Sequence, residues 1–194
     1  MKAATWAKAT PWPKRPQAEK GEPMKSKCLT LLLAGLLALS LCACGGGQSG
    51  EAAPTADMDA LQQALLAADA SLPEMLSVTS NVDDAKRLFT YLSDFDYDKV
   101  DSYLLSYSST GTADEIAVIA VKDAGDVTEA KNSLEKHRQD RLKLFQTYGP
   151  EQAARVEKGV VTTHDRYAIL LICDNTDDAL AAFTSYIEGS ANEG

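Results

Sequence analysis

Asp94-Phe95-Asp96-Tyr97-Asp98 sets carboxylates at alternate positions, the spacing with which an EF-hand loop begins its oxygen cage for calcium. The rest of such a loop is missing. Its sixth position needs the conformational freedom of glycine and holds Lys99; its twelfth needs a bidentate glutamate and holds Leu105. The segment reads as an acidic turn ahead of a strand. The two histidines, His137 and His164, come without His-x-x-x-His, His-Glu-x-x-His or paired cysteines, so a zinc site lacks ligands. His137, between Lys136 and Arg138, is expected at the boundary of a helix core, and His164-Asp165-Arg166 reads as hairpin-turn chemistry. No Gly-x-Ser-x-Gly and no phosphate-cradling glycine loop occurs. Neither a catalytic residue, a metal site nor a cofactor is assigned. Asp114-Glu115 and the stretch 94–101 are the places where paired carboxylates could do acid–base work.

The cysteines are more specific. Leu41-Cys42-Ala43-Cys44 follows a short basic head (Lys25, Lys27) and an apolar run from Cys28 to Ala43, and precedes three glycines. Basic head, apolar run, small-residue site is the order of a secretory signal. The Leu-x-Ala-Cys ending resembles a bacterial lipobox, in which the cysteine takes acyl chains such as palmitate and becomes the first residue of the mature chain. Cys42 is the weaker acceptor, because bulky Leu41 precedes it. A membrane-spanning helix needs about 20 apolar residues, and this run is shorter and carries Gly, Ser and Thr. The expectation is lipidation at Cys44. Two acyl chains anchor stably where one is marginal. With Cys28 and Cys42 removed in the signal and Cys44 lipidated, Cys173 is left alone and no intrachain disulfide can form. It ends the run Tyr167-Ala-Ile-Leu-Leu-Ile-Cys173 and is expected to be a buried small hydrophobe rather than a nucleophile.

Charge divides at the same place. Residues 1–43 hold seven Lys/Arg and two Asp/Glu; residues 44–194 hold 12 against 26, a formal charge of −14. Such a surface excludes nucleic acid, whose phosphates select basic faces. It also disfavours binding to anionic headgroups, so the lipid itself must anchor the chain. The expected organisation is an upstream mis-start over 1–23, a signal over 24–43, a Gly/Ser/Pro/Ala tether over 44–56, one domain over 57–188 and a tail over 189–194.

Elements follow from hydrophobic period. Met58, Leu61, Leu65 and Ala68 share one helical face from Asp57 onward. Leu72-Pro73 re-aims the chain, and a short helix is predicted through Val78, then another over 82–92 with Leu88, Tyr91 and Leu92 as its apolar side. Ile116-Ala-Val-Ile-Ala-Val-Lys-Asp123 and Tyr167-Ala-Ile-Leu-Leu-Ile-Cys-Asp174 match position for position. Each follows a predicted strand (102–109 and 160–163) and precedes a predicted helix (127–148 and 177–187). Asp126-x-x-Glu129 is expected to cap the first helix as a capping box. Leu134, Phe145 and Tyr148 should be its core face, with Lys131/Glu135 and Lys136/Asp140 as solvated i,i+4 pairs. The fold class is therefore α+β: two ββα units forming a four-stranded, mainly antiparallel sheet packed with helices and preceded by N-terminal helices. Two buried strands can also look alike by chance, so duplication stays open. Both faces of the two apolar strands must be covered, by the N-terminal helices or by a partner.

Ala113-Asp-Glu-Ile-Ala-Val-Ile119, Phe145-x-x-Tyr148-Gly-Pro-Glu-Gln152 and Tyr167-Ala-Ile with Asp174 resemble an uncharacterised family of small lipoproteins from clostridia and related Gram-positive bacteria, domain of unknown function 4358. The resemblance spans roughly residues 57–188. It implies export and no established activity, so it carries over no catalytic residue. The expected function is a non-enzymatic binding or interaction module of the cell envelope. It would be held on the extracytoplasmic face of the membrane through Cys44 and meet an unidentified envelope protein or ligand. The alternative is an envelope hydrolase using the acidic residues above. A two-lobed solute receptor generally needs more chain than this domain offers.

Overall fold

A computed structural model describes residues 56–191. Five strands, all paired antiparallel, form one sheet in the order β1-β2-β3-β5-β4. They are β1 (Met75–Thr79), β2 (Val100–Ser108), β3 (Glu115–Val121), β4 (Val160–His164) and β5 (Tyr167–Ile172). Every residue of β3 and β5 is buried, which is why their sequences read as unbroken apolar runs rather than alternating ones. Odd-numbered β3 residues (Ala117, Ile119, Val121) and even-numbered β5 residues (Ala168, Leu170, Ile172) face one layer of helices. Ile116, Val118, Ala120, Tyr167, Ile169 and Leu171 face the other.

The first layer holds α2 (Ala85–Phe89), α3 (Val127–Tyr148) and α4 (Pro150–Lys158), with Phe89, Ala130, Leu134 and Val156 buried on the sheet. The second holds α1 (Met58–Ala68) and α5 (Thr176–Ala191), through Met58, Leu61, Leu65, Ala179, Phe183 and Ile187. The expected covering of both sheet faces is thus supplied by the chain itself. Asp57 caps α1, its side chain accepting from the N–H groups of Asp59 and Ala60.

Several expectations are corrected. The sheet has five strands, not four: residues 75–79, expected as helix, form edge strand β1 on β2, where β-branched Val78 and Thr79 and the Ser77–Ser106 hydroxyl bond (2.7 Å) favour a ladder. The helix expected over 82–92 is only five residues long, and Tyr91 is exposed (58 %) rather than packed. Tyr148, expected on the core face of α3, is exposed as well. Asp126 precedes α3 but caps nothing, because its carboxylate and that of Glu129 both receive the Lys99 ammonium (2.9 and 2.8 Å). The i,i+4 pairs are replaced: Glu135 pairs with Arg138, Asp140 with Lys143, and Lys136 reaches across to Asp94. Helix α5 continues into the expected tail, to Ala191. The β3–β5 register pairs Ile116 with Leu171 and Ala120 with Tyr167, which is symmetric about the matched motifs. Yet α3 and α5 lie on opposite faces, so the two ββα units do not repeat each other as packed units.

Two expectations hold locally. His164-Asp165-Arg166-Tyr167 closes the β4–β5 hairpin, with Asp165 at positive φ (50°), a conformation Asp tolerates better than most residues. Cys173 is buried and free, and burial pushes its thiol up to about 12.

Candidate functional site

Ala113-Asp114-Glu115, Gln152 and Asp174, one part of each of the three motifs quoted above, meet at one end of the sheet. Strand β3 begins with Glu115, whose place in the pleat turns it toward α3, and the preceding turn leaves Asp114 buried beside it. Gly111, at φ +84°, lets that turn reverse direction where a side chain would be strained. On α3, Ala130, Leu134, His137 and Arg141 follow one another at helical spacing, so an apolar stripe becomes polar where it crosses Glu115. His137 Nε2 lies 2.6 Å from Glu115 Oε1, and Arg141 Nη1 3.0 Å from Glu115 Oε2. Arg141 also donates to the Ala113 carbonyl (3.1 Å) and stacks on Phe145 (5.3 Å).

Gly149 ends α3 and Pro150 opens α4, a helix whose inner face returns to the same place. Gln152 accepts the Ala113 N–H (3.2 Å), and Arg155 bridges the buried Asp114 and Asp174 (2.9 Å to the latter). Thr112 donates its hydroxyl to Asp114 (2.5 Å). Next to Asp174, Asn175 binds Asp69 through its backbone N–H (2.9 Å) and side-chain amide (2.7 Å). Burial opposes ionisation of Asp69, but these bonds and those from Ser71 outweigh it and hold the carboxyl well below its usual range. The result is a polar seam joining α1, β3, α3, α4 and the start of α5.

Asp94, Asp96, Asp98 and Asp101 do not converge on a cation. Asp94 takes Lys136, whose ammonium holds that carboxyl below its usual range; Asp98 takes Lys86, and Asp101 takes Arg166. Asp96 accepts the Asp98 N–H as a local cap (3.0 Å). Among the described residues no cluster of His, Cys, Asp or Glu could hold a metal, and no helix is long and apolar enough to cross a membrane. Cys44 lies outside the described residues.

A cleft of about 170 Å³ opens between the Thr90–Asp94 turn and the Ser133–Asp140 stretch of α3, with His137 as the side chain shared between cleft and seam. Sequence reasoning assigned His137 to a helix boundary and overlooked Arg141, Gln152 and Arg155 as members of one cluster. The available signal was the spacing of His137 and Arg141 in line with Ala130 and Leu134, together with two acidic residues placed directly before an apolar strand.

These features define an α+β domain with an antiparallel sheet between two helical layers, pinned at one end by buried ion pairs. Residues 73–173, just over half of the chain, match the family described as Domain of unknown function (DUF4358), and the protein belongs to that family. No curated protein and no solved structure matches the chain.

Proposed function

We propose that the protein is a lipid-anchored module of a Gram-positive cell envelope, tethered at Cys44 on the extracytoplasmic face of the membrane and working by binding rather than by catalysis. The address rests on the lipobox-like Leu41–Cys44 behind its basic and apolar leader. The mode of action rests on one observation: the carboxylates a hydrolase would use are already committed. Asp114 is held by Arg155 and Thr112, and Glu115 by His137 and Arg141. Asp94, Asp98 and Asp101 each face a cation, and Asp96 caps a turn. A general acid and base must hold or release a proton at the reacting bond, and carboxylates locked into ion pairs are poor at both. The net charge of −14 over residues 44–194 favours a partner that is not nucleic acid.

The anchoring arm is tested with Cys44→Ala expressed in a Gram-positive host. The expected outcome is uncleaved precursor without acyl label by mass spectrometry; normal lipid labelling of the variant overturns the assignment. The binding arm is tested by crosslinking the anchored protein in its own cells. A specific envelope component captured by the wild type is expected, whereas turnover of envelope substrates by the purified protein would favour the hydrolase.

A further inference from the structure

We propose that the cleft between the Thr90–Asp94 turn and α3 binds a neutral sugar unit, a proposal that rests on the binding-module reading above and names its ligand class. The cleft measures about 170 Å³, below the few hundred Å³ typical of sites for drug-sized ligands and suited to a single ring. Its rim carries Tyr91, the one aromatic side chain lining it, with 58 % of the residue exposed. The exposed ring of a tyrosine offers an apolar face, and a pyranose offers the complement in the C–H groups on its own face.

The polar lining sorts into structural and ligand-facing groups. Ser93 donates to Ser133 (2.7 Å) and accepts the Phe95 N–H (2.9 Å), and Ser133 donates to the Ala130 carbonyl (2.7 Å). Those hydroxyls shape the floor. His137 spends Nε2 on Glu115, which leaves Nδ1 as its second hydrogen-bonding atom. Asp140 spends Oδ1 on Lys143 (2.9 Å), which leaves Oδ2 to accept from a ligand hydroxyl. Lys136, bound to Asp94 at the mouth, keeps further N–H groups for a ring or hydroxyl oxygen.

Charge selects the class. The two carboxylates, Asp94 and Asp140, are each matched by one ammonium, Lys136 and Lys143, so no surplus positive charge is left to hold an anion such as a phosphate. A cation would have to displace Lys136 from Asp94 or Lys143 from Asp140. A neutral polyol meets donors and acceptors together without breaking either pair, and the aromatic rim adds affinity for a ring over a linear polyol.

The test uses the full chain in detergent with glucose, galactose and N-acetylglucosamine as probes read by saturation-transfer NMR, and inorganic phosphate as the anionic control read by phosphorus-31 line broadening. The expected result is transfer to at least one sugar with a Kd on the order of 1 mM, typical of a weak monosaccharide-scale contact. Tyr91→Ala and Asp140→Asn should each weaken it about tenfold or more, while their melting curves stay near wild type because both side chains are exposed. Absence of transfer from all three sugars at 50-fold excess over that range, about 50 mM, overturns the proposal. Undiminished transfer in Tyr91→Ala overturns it too, and so does phosphate binding more tightly than any sugar. None of these three results touches the module reading, which crosslinking decides separately. Release of product from a p-nitrophenyl glycoside would overturn the non-enzymatic reading itself.

Discussion

Replacing Glu115 by Gln keeps the shape of a side chain that is 3 % exposed but removes the charge facing Arg141 at 3.0 Å and His137 at 2.6 Å. At that separation and an effective dielectric near 20, the Glu115–Arg141 attraction is about 5 kcal/mol before desolvation. Taking both ions out of water returns much of it, so the measurable coupling should be about 2 kcal/mol. The single substitution costs more than the coupling, because it leaves the guanidinium half of a largely buried pair without its counter-charge. Losing one partner of a buried pair typically costs 3–5 kcal/mol; with the Arg141 side chain still 19 % exposed, about 3 kcal/mol is expected. For a domain of this size that corresponds to a fall in Tm of roughly 10 °C. Urea unfolding followed by circular dichroism on wild type, Glu115→Gln, Arg141→Met and the double variant completes the cycle. The double variant should cost about 2 kcal/mol less than the sum of the two single ones. Additivity within about 0.5 kcal/mol, the behaviour of uncoupled sites, would refute the idea that the seam is held by this pair.

Cys173 should label slowly with thiol reagents in the native protein and fast in denaturant, and its raised pKa has a sign: the unfolded thiol ionises first, so stability falls as pH rises above 9.0 toward about 12. Cys173→Ala should remove that share of the alkaline loss at a cost on the order of 1 kcal/mol; rapid native labelling would contradict burial. Asp69→Asn should be destabilising by about 2 kcal/mol at neutral pH, since the depressed carboxyl contributes only when ionised. That deficit should shrink as pH falls below the usual carboxylate range, and a deficit constant from pH 7 to about 2 would assign the effect to packing instead. Chelator should leave Tm unchanged; a rise of several degrees with millimolar calcium would demand a native-state site, with Asp94, Asp96 and Asp98 the first residues to neutralise.

What was legible in the sequence is what depends on local period. The β3 and β5 runs declare themselves because both faces are buried, and α3 is bounded by Asp126 and Gly149 as its pattern implies. Strand β1 was not legible: its five residues, of which only Thr79 is buried, carry no clean alternation, and pairing with β2 decides their state. Helix α4 was missed because Val156 is its single buried residue, too little for a period. The seam was invisible for a different reason. The bonds that join its elements link residues 19 to 106 positions apart, and an ion pair leaves no mark on either partner's neighbours.

The way the N-terminal end of the domain is fastened has a mechanical meaning for a chain held from that side. The Ala56 N–H donates to the Tyr167 hydroxyl (3.2 Å), Tyr186 donates to the Asp57 carbonyl (3.3 Å), and Asp69 at the far end of α1 grips Asn175. Tension arriving at Ala56 would therefore load α1 along its length, against α5, the inner strand β5 and, through the Asp59–Thr79 bond (2.9 Å), the end of β1. Elements loaded in shear yield at higher force than strands peeled one bond at a time. For a chain tethered on that side, the pull would enter along a helix packed on the sheet face rather than at the free end of an edge strand.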